Sequence, residues 1–233
     1  MSTGRLFGIG VGPGDPELIT LKALRCLSEA PVLAYVAANG RPSVARRIAA
    51  PHVPPGKREI NLALPMSPQP ELAQAAYDEG ASRISAELEQ GYDVAVLCEG
   101  DPLFYGSFAQ LFARLGEQYR TDIVPGVISI TAAAAAARLP LVWRTRTLMA
   151  VPATLPKEAL ALRLQAADAI AVLKVGRHLG KLRAVLSELG MLDRAIYVER
   201  ASTERERVMP LIDYEGEETP YFALVLLPAR TGT

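Results

Sequence analysis

The chain is poor in the residues that metal sites, disulfides and membrane spans require. It has two histidines, His52 and His178, and two cysteines, Cys26 and Cys98, and none of them falls at metal-ligand spacing. A zinc site is therefore not expected. Both cysteines lie in apolar segments and read as small buried residues of a reducing compartment. Charge of neither sign is in excess: 25 Lys and Arg balance 25 Asp and Glu, whereas a nucleic-acid binder would carry a basic surplus. Long hydrophobic runs are also missing. The alanine-rich stretch 131–137 is too short to cross a bilayer, and the first residues lack the charged start and apolar core of a signal peptide. These absences predict a soluble cytoplasmic protein with no membrane or nucleic-acid partner.

What is present is a half-hydrophobic chain of 233 residues, long enough for one large core or two smaller ones. Short β-type runs alternate with helical periodicity. Strands are expected over 6–11, 31–35, 58–61, 93–98 and 122–124, and helices over 16–28, 43–49, 70–90, 102–115 and 129–137. The alternation continues with strands over 147–151, 169–175, 195–200, 207–211 and 221–227, and helices over 156–166 and 178–189. This is the pattern of an α/β protein with two α/β domains, the first built on a mostly parallel sheet. Proline and repeated arginine interrupt the pattern over 139–146, which sets the expected domains at 1–138 and 139–233.

The richest segment is Gly8-Ile9-Gly10-Val11-Gly12-Pro13-Gly14-Asp15-Pro16, a strand running into a bare glycine loop and then a helix start. As a dinucleotide fingerprint it fails. Counting from Gly8, the third glycine of G-x-G-x-x-G would fall on Pro13, and no acidic residue closes a second strand at the usual distance. No Gly-Lys-Ser/Thr follows, so it is not a P-loop either. The same device returns as Glu99-Gly100-Asp101-Pro102 with Tyr105-Gly106-Ser107, again after an apolar strand. A third strand-to-helix loop is Val124-Pro125-Gly126-Val127-Ile128-Ser129. Right-handed crossovers would bring the first two loops to one edge of the sheet.

In this order and at these separations, the three loops resemble the tetrapyrrole (corrin/porphyrin) methylase family, as does the later Glu199-Arg200-Ala201-Ser202. Within the family the chain is most similar to the branch that methylates C20 of precorrin-2. The basis is the opening glycine segment through Ala23, the segment 34–41 and Leu173-Lys174-Val175-Gly176. The resemblance implies S-adenosylmethionine as methyl donor, an inter-domain cleft, a tetrapyrrole substrate and a homodimer. It places donor contacts at Pro13, Gly100, Asp101, Phe104, Ser129 and Ile130, with Lys174, Ala201 and Ala223 as further counterparts. Many members carry Ser or Thr where this chain has Ile128, which leaves Ser129 as the hydroxyl contact. Other acceptors within the family are the cobalt-containing factor II of the anaerobic route and uroporphyrinogen III. A nicotinamide-dependent oxidoreductase or a non-catalytic binding module are readings from other classes.

Transfer from a sulfonium needs neither a metal nor a covalent nucleophile, only alignment and exclusion of water. Asp101 is a candidate catalytic residue facing the donor, and also a candidate helix N-cap. Tyr105 is the second catalytic candidate, either a pocket wall or a packed aromatic. Glu99 is a base or a solvated strand-end acid, Tyr35 reaches a cleft or ends its strand, and His178 stands at a helix start. Gly12 and Gly14 would let the substrate lie against backbone. Arg41, Arg177 and Arg200, beside strand-end loops, are the candidates for gripping substrate carboxylates in bidentate fashion.

Overall fold

The computed structural model describes residues 2–38, 40–65 and 69–229. Asn39, part of the 34–41 segment, lies outside them. In chain order the first unit runs β1 (Leu6–Gly10), α1 (Leu21–Glu29), β2 (Val32–Ala38), α2 (Val44–Ala49), β3 (Arg58–Leu64), α3 (Pro70–Glu89), β4 (Val94–Cys98), α4 (Phe108–Leu115) and β5 (Thr121–Val124). The sheet order is β3-β2-β4-β1-β5, and every pairing is parallel. Strands β1 and β4 are buried at every residue, as continuous apolar runs covered on both faces must be.

The pleat divides these strands between two cores. Phe7, Ile9, Leu33, Ala95 and Leu97 face α1 and α2, together with Ala23, Leu27, Ala45 and Ile48. Leu6, Val32, Val94, Val96 and Cys98 face α3 and α4, together with Ile84, Leu88, Phe108 and Leu111. The neighbouring strands β1 and β4 therefore send their following helices to opposite faces. That is a topological switch point, where a crevice opens beyond the strands' carboxyl ends.

Two expected helices are shorter than their sequence signals. The helix anticipated over 16–28 splits. Asp15 Oδ1 accepts the Glu17 N–H at 2.8 Å and caps only a 3-10 turn, Pro16–Leu18. Thr20 Oγ1, accepting the Ala23 N–H at 3.2 Å, then caps α1. The helix anticipated over 102–115 begins only at Phe108. Asp101-Pro102 therefore opens a loop, and the N-cap role weighed for Asp101 is not the one it has.

Chain contacts divide the protein between Ile128 and Ser129, earlier than the 138/139 boundary expected from proline and arginine. The reason is α5 (Ser129–Ala136), whose small residues pack against strands of the second unit. That unit continues with β6 (Leu148–Pro152), α6 (Lys157–Gln165), β7 (Ala169–Leu173), α7 (Leu179–Glu188), β8 (Ile196–Glu199), β9 (Arg207–Pro210) and β10 (Ala223–Leu227). Its sheet order is β6-β7-β10-β8-β9; only β6 and β7 are parallel, and β10 runs antiparallel to both its neighbours. Leu160 and Leu164 of α6 and Leu179, Leu182 and Leu186 of α7 cover one face over Val172, Tyr197 and Val225. Among the described residues no helix is long and apolar enough to cross a membrane.

Candidate functional site

In the first unit the three glycine loops meet at the switch point, as their strand-end positions require. Gly100 N–H donates to Gly12 O at 2.8 Å and Gly12 N–H to Gly100 O at 3.3 Å, an isolated antiparallel bridge beyond β1 and β4. The third loop packs against both. A Cβ on Gly126 would stand 2.1 Å from Gly100 O and 2.9 Å from Gly10 Cα, so the loops touch backbone to backbone. Gly12 is buried, while Pro13 and Gly14 are partly exposed beside it.

Asp101 holds this arrangement together. Its Oδ1 accepts the Leu103 N–H at 2.9 Å and its Oδ2 accepts the Gly126 N–H at 3.1 Å. Both carboxylate oxygens thus satisfy backbone donors that would otherwise lack partners. Beyond it Phe104 and Tyr105 form an edge-to-face ring pair with centroids 5.1 Å apart. Tyr105 is 53% exposed and has φ +54°, a left-handed conformation that is costly for a residue with a side chain.

Glu99 is not a solvated strand-end acid. It is partly buried, and its Oε1 accepts the Ala45 N–H of α2 at 3.1 Å. Burial raises its carboxyl above the ordinary range, against the weaker lowering by its own and the Ala45 backbone N–H and by Arg47. The adjacent Cys98 thiol is pushed up to about 12, mainly by burial, and is inert. Tyr35 does not reach toward a ligand: its hydroxyl donates to Glu59 Oε2 at 2.7 Å, and Glu59 is gripped by Arg46 at 2.9 and 3.1 Å. The Arg46 hydrogen bond, with Tyr35 assisting against desolvation, holds the Glu59 carboxyl below its usual range. Arg41 stays exposed on the loop between β2 and α2.

In the second unit the sheet register gathers the remaining candidates at one edge. Ala223 at the start of β10 lies opposite Glu199 at the end of β8, and β7 ends on the same side. Arg200 N–H donates to Phe222 O at 2.7 Å, which sets the Arg200–Ser202 turn beside Ala223. Arg200 and Ser202 have φ +50° and +65°, and Lys174 after β7 has φ +56°. Left-handed non-glycine residues thus recur in the loops singled out from sequence, as strained backbone does at functional sites. Ala201 is buried, Lys174 and Arg177 are exposed, and Ser129 and Ile130 form the first turn of α5. His178 closes a 3-10 turn before α7; partial burial, with Lys181 and Arg177 nearby, lowers its imidazole from the usual value.

Beneath the Arg200 turn lies a pair that the sequence reading missed. Glu199 is 4% exposed and accepts the hydroxyl of the fully buried Tyr197, whose ring packs on Tyr214 at 4.2 Å. Arg207 and Arg200 approach the same carboxylate at 3.6 and 3.9 Å. A groove of about 420 Å³ elsewhere in this unit, between Trp143, Asp193, Arg194 and Pro228, touches none of the residues singled out above. Arg194, the one guanidinium among the described residues lining it, is held by the Asp168 and Pro228 carbonyls.

The sequence model of the tetrapyrrole (corrin/porphyrin) methylases matches residues 5–211. The chain belongs to that family. Among curated relatives, the cobalamin biosynthesis protein CobIJ of Mycobacterium tuberculosis is 44% identical over 97% of this chain, but the chain spans only 46% of that protein's length. A precorrin-2 C(20)-methyltransferase of Sinorhizobium is 38% identical over 98% of this chain and 96% of its own. Among solved structures, the uroporphyrin-III C-methyltransferase of Thermus thermophilus, complexed with S-adenosylhomocysteine, superposes with a TM-score of 0.69 at 28% identity. It covers 97% of this chain, with 92% of its own length matched. Membership in this methylase family sets aside the nicotinamide-dependent oxidoreductase.

Proposed function

We propose that this methylase transfers a methyl group from S-adenosylmethionine to C20 of precorrin-2, giving precorrin-3A on the route to cobalamin. The observation that carries the reading is the near full-length match, in both directions, to the Sinorhizobium enzyme. The residues fit such a donor. Bare backbone at Gly100, where a Cβ would meet nothing nearer than Val127 O at 3.8 Å, leaves room for close approach, and the acid Asp101 at the same edge suits a cationic sulfonium and amine. The partly exposed Phe104 offers apolar surface to an adenine ring. When bound, the donor supplies an electrophilic methyl group.

The chain's part is to bind, align and exclude water. Pro13, Gly100, Asp101, Phe104, Ser129, Ile130, Lys174, Ala201 and Ala223 are assigned to the donor. Gly12 and Gly14 take the face of the macrocycle, and Arg41, Arg177 and Arg200 its carboxylates. Asp101 acts as the keystone of the loops that receive the donor, and Tyr105 as a wall beside it. The reading includes a cytoplasmic homodimer, which light scattering tests against a 25.0 kDa monomer.

Calorimetry with S-adenosylhomocysteine tests donor use; no binding would end the proposal. Metal-free and cobalt-containing precorrin-2 are then supplied in parallel, and the product is located by mass spectrometry and carbon NMR. A new methyl at C20 of the metal-free substrate is the expected result. A preference for the cobalt form would move the chain to the anaerobic route, and methylation of uroporphyrinogen III alone would overturn the substrate.

A further inference from the structure

Methylation at a ring-bridging carbon leaves a proton to be removed, and the carboxylates at the switch point differ in how they are held. Both oxygens of Asp101 accept backbone N–H groups, from Leu103 and Gly126. Asp15 is turned to the Glu17 N–H within its own turn. Glu59, on the edge strand β3 away from the switch point, is bound in bidentate fashion by Arg46 and also accepts from Tyr35. Each of these is committed to holding structure.

Glu99 stands apart. It follows the last residue of β4, Cys98, and immediately precedes Gly100, the residue that bridges to Gly12. The pleat turns its side chain to the α1/α2 side, where Oε1 takes the Ala45 N–H. Among the described residues it enters no ion pair. The charged group that acts on it from α2 is Arg47, itself exposed, and its neighbours along the strand end are Cys98 and Asp101. A partly buried carboxylate with no salt-bridge partner, at the carboxyl edge where a parallel sheet receives ligands, is suited to accept a proton. Its basicity is raised by burial in the direction a general base requires.

We propose that Glu99 is the base that removes the C20 proton. The inference rests on the precorrin-2 reading above. The π electrons of the electron-rich C20 form the new C20–CH3 bond while the methyl–sulfur bond breaks, and its pair stays on sulfur as a neutral thioether. The macrocycle then carries one positive charge. A Glu99 oxygen takes the C20 proton, the C–H pair restores conjugation, and the carboxylic acid returns its proton to solvent.

The test compares wild type with Glu99→Gln, which keeps an oxygen able to accept the Ala45 N–H while losing basicity, using precorrin-2 with hydrogen or deuterium at C20. Glu99→Gln is expected to bind S-adenosylhomocysteine with unchanged affinity and to lose about 10²- to 10⁴-fold in kcat. Its primary deuterium isotope effect should exceed that of wild type, because proton removal has become slow. A Glu99→Ala variant should be partly rescued by added formate. Turnover within about threefold of wild type would overturn the proposal, and so would a large loss with an unchanged isotope effect, which would mark Glu99 as a positioning residue. If wild type itself binds no donor product or leaves precorrin-2 unmethylated, the parent reading has failed instead.

Discussion

At the residue scale, Asp101 shows how a site residue can act through backbone. One carboxylate fixes two loops by accepting one N–H from each, so removing it strands two donors in a partly buried place. Leaving such groups unpaired costs about 1–3 kcal/mol each. Asp101→Ala should therefore lower the melting temperature and weaken S-adenosylhomocysteine binding at least tenfold by calorimetry; a stable variant with wild-type affinity would remove Asp101 from the donor site. Gly126 makes the complementary point. Its missing Cβ would lie 2.1 Å from Gly100 O, a backbone atom that cannot swing aside. Gly126→Ala should destabilise by about 1–3 kcal/mol in urea unfolding, and should weaken the donor product as well because the loop must shift. Unchanged stability would show that the loops are not in contact in solution.

At the scale of elements, short polar ties register the strands. Asp168, just before β7, accepts the Thr147 N–H at 2.8 Å ahead of β6 and pairs with Arg146 at 2.7 Å. The Thr147 backbone bond first, then the Arg146 and Thr147 side chains, hold its carboxyl down to about 2. A depressed carboxyl stabilises the fold above its unfolded value, about 3.9, and that contribution is lost as pH falls through the folded value. In acid titrations followed by circular dichroism, Asp168→Asn should be less stable than wild type above about pH 5, and the two should converge near pH 2. Parallel curves throughout would sever the link to ionisation.

Much of this layer was legible in advance. The continuous apolar runs of β1 and β4 and the stop of α3 before Gly91, at φ +85°, follow from local chemistry. The two misjudged helices share a signal and differ in cause: Asp15 caps only a local 3-10 turn before Thr20 starts α1. Gly-Asp-Pro reads locally as a helix start, yet Asp101 is drawn to Gly126, which is 25 residues away, and Tyr105 takes a left-handed turn that no helix contains. The domain boundary moved for a similar reason, since α5 is placed by strands that follow it in the chain. The three-loop junction was readable because repeated Gly-Asp-Pro at strand ends implies one sheet edge. The Glu99–Ala45 bond and the Tyr197–Glu199 pair were not, because each depends on a long-range or buried partner that pattern does not name.

At the scale of the whole molecule, the donor is assigned contacts from both units, and that assignment has a thermodynamic signature. S-adenosylhomocysteine at one hundred times its Kd should add about 2.7 kcal/mol to the folded state. For a chain of this size that is a rise of about 5–10 °C in melting temperature. Calorimetric scans should show the transitions of the two units moving together. A shift confined to one unit would place the donor on that unit alone.

The position of β1 in its sheet also governs how the chain can be made. β1 is synthesised before every other strand of its sheet, yet its hydrogen-bonding neighbours are β4 and β5, with Leu6 beside Val94 on one side and Thr121 on the other. On a ribosome adding about 5–20 residues per second, this fully apolar strand waits roughly 6–25 s before both partners have been polymerised. Throughout that interval the glycine loop behind it has nothing to bridge. The first unit therefore closes late and all at once, and its opening segment is the part of the nascent chain with most need of a chaperone.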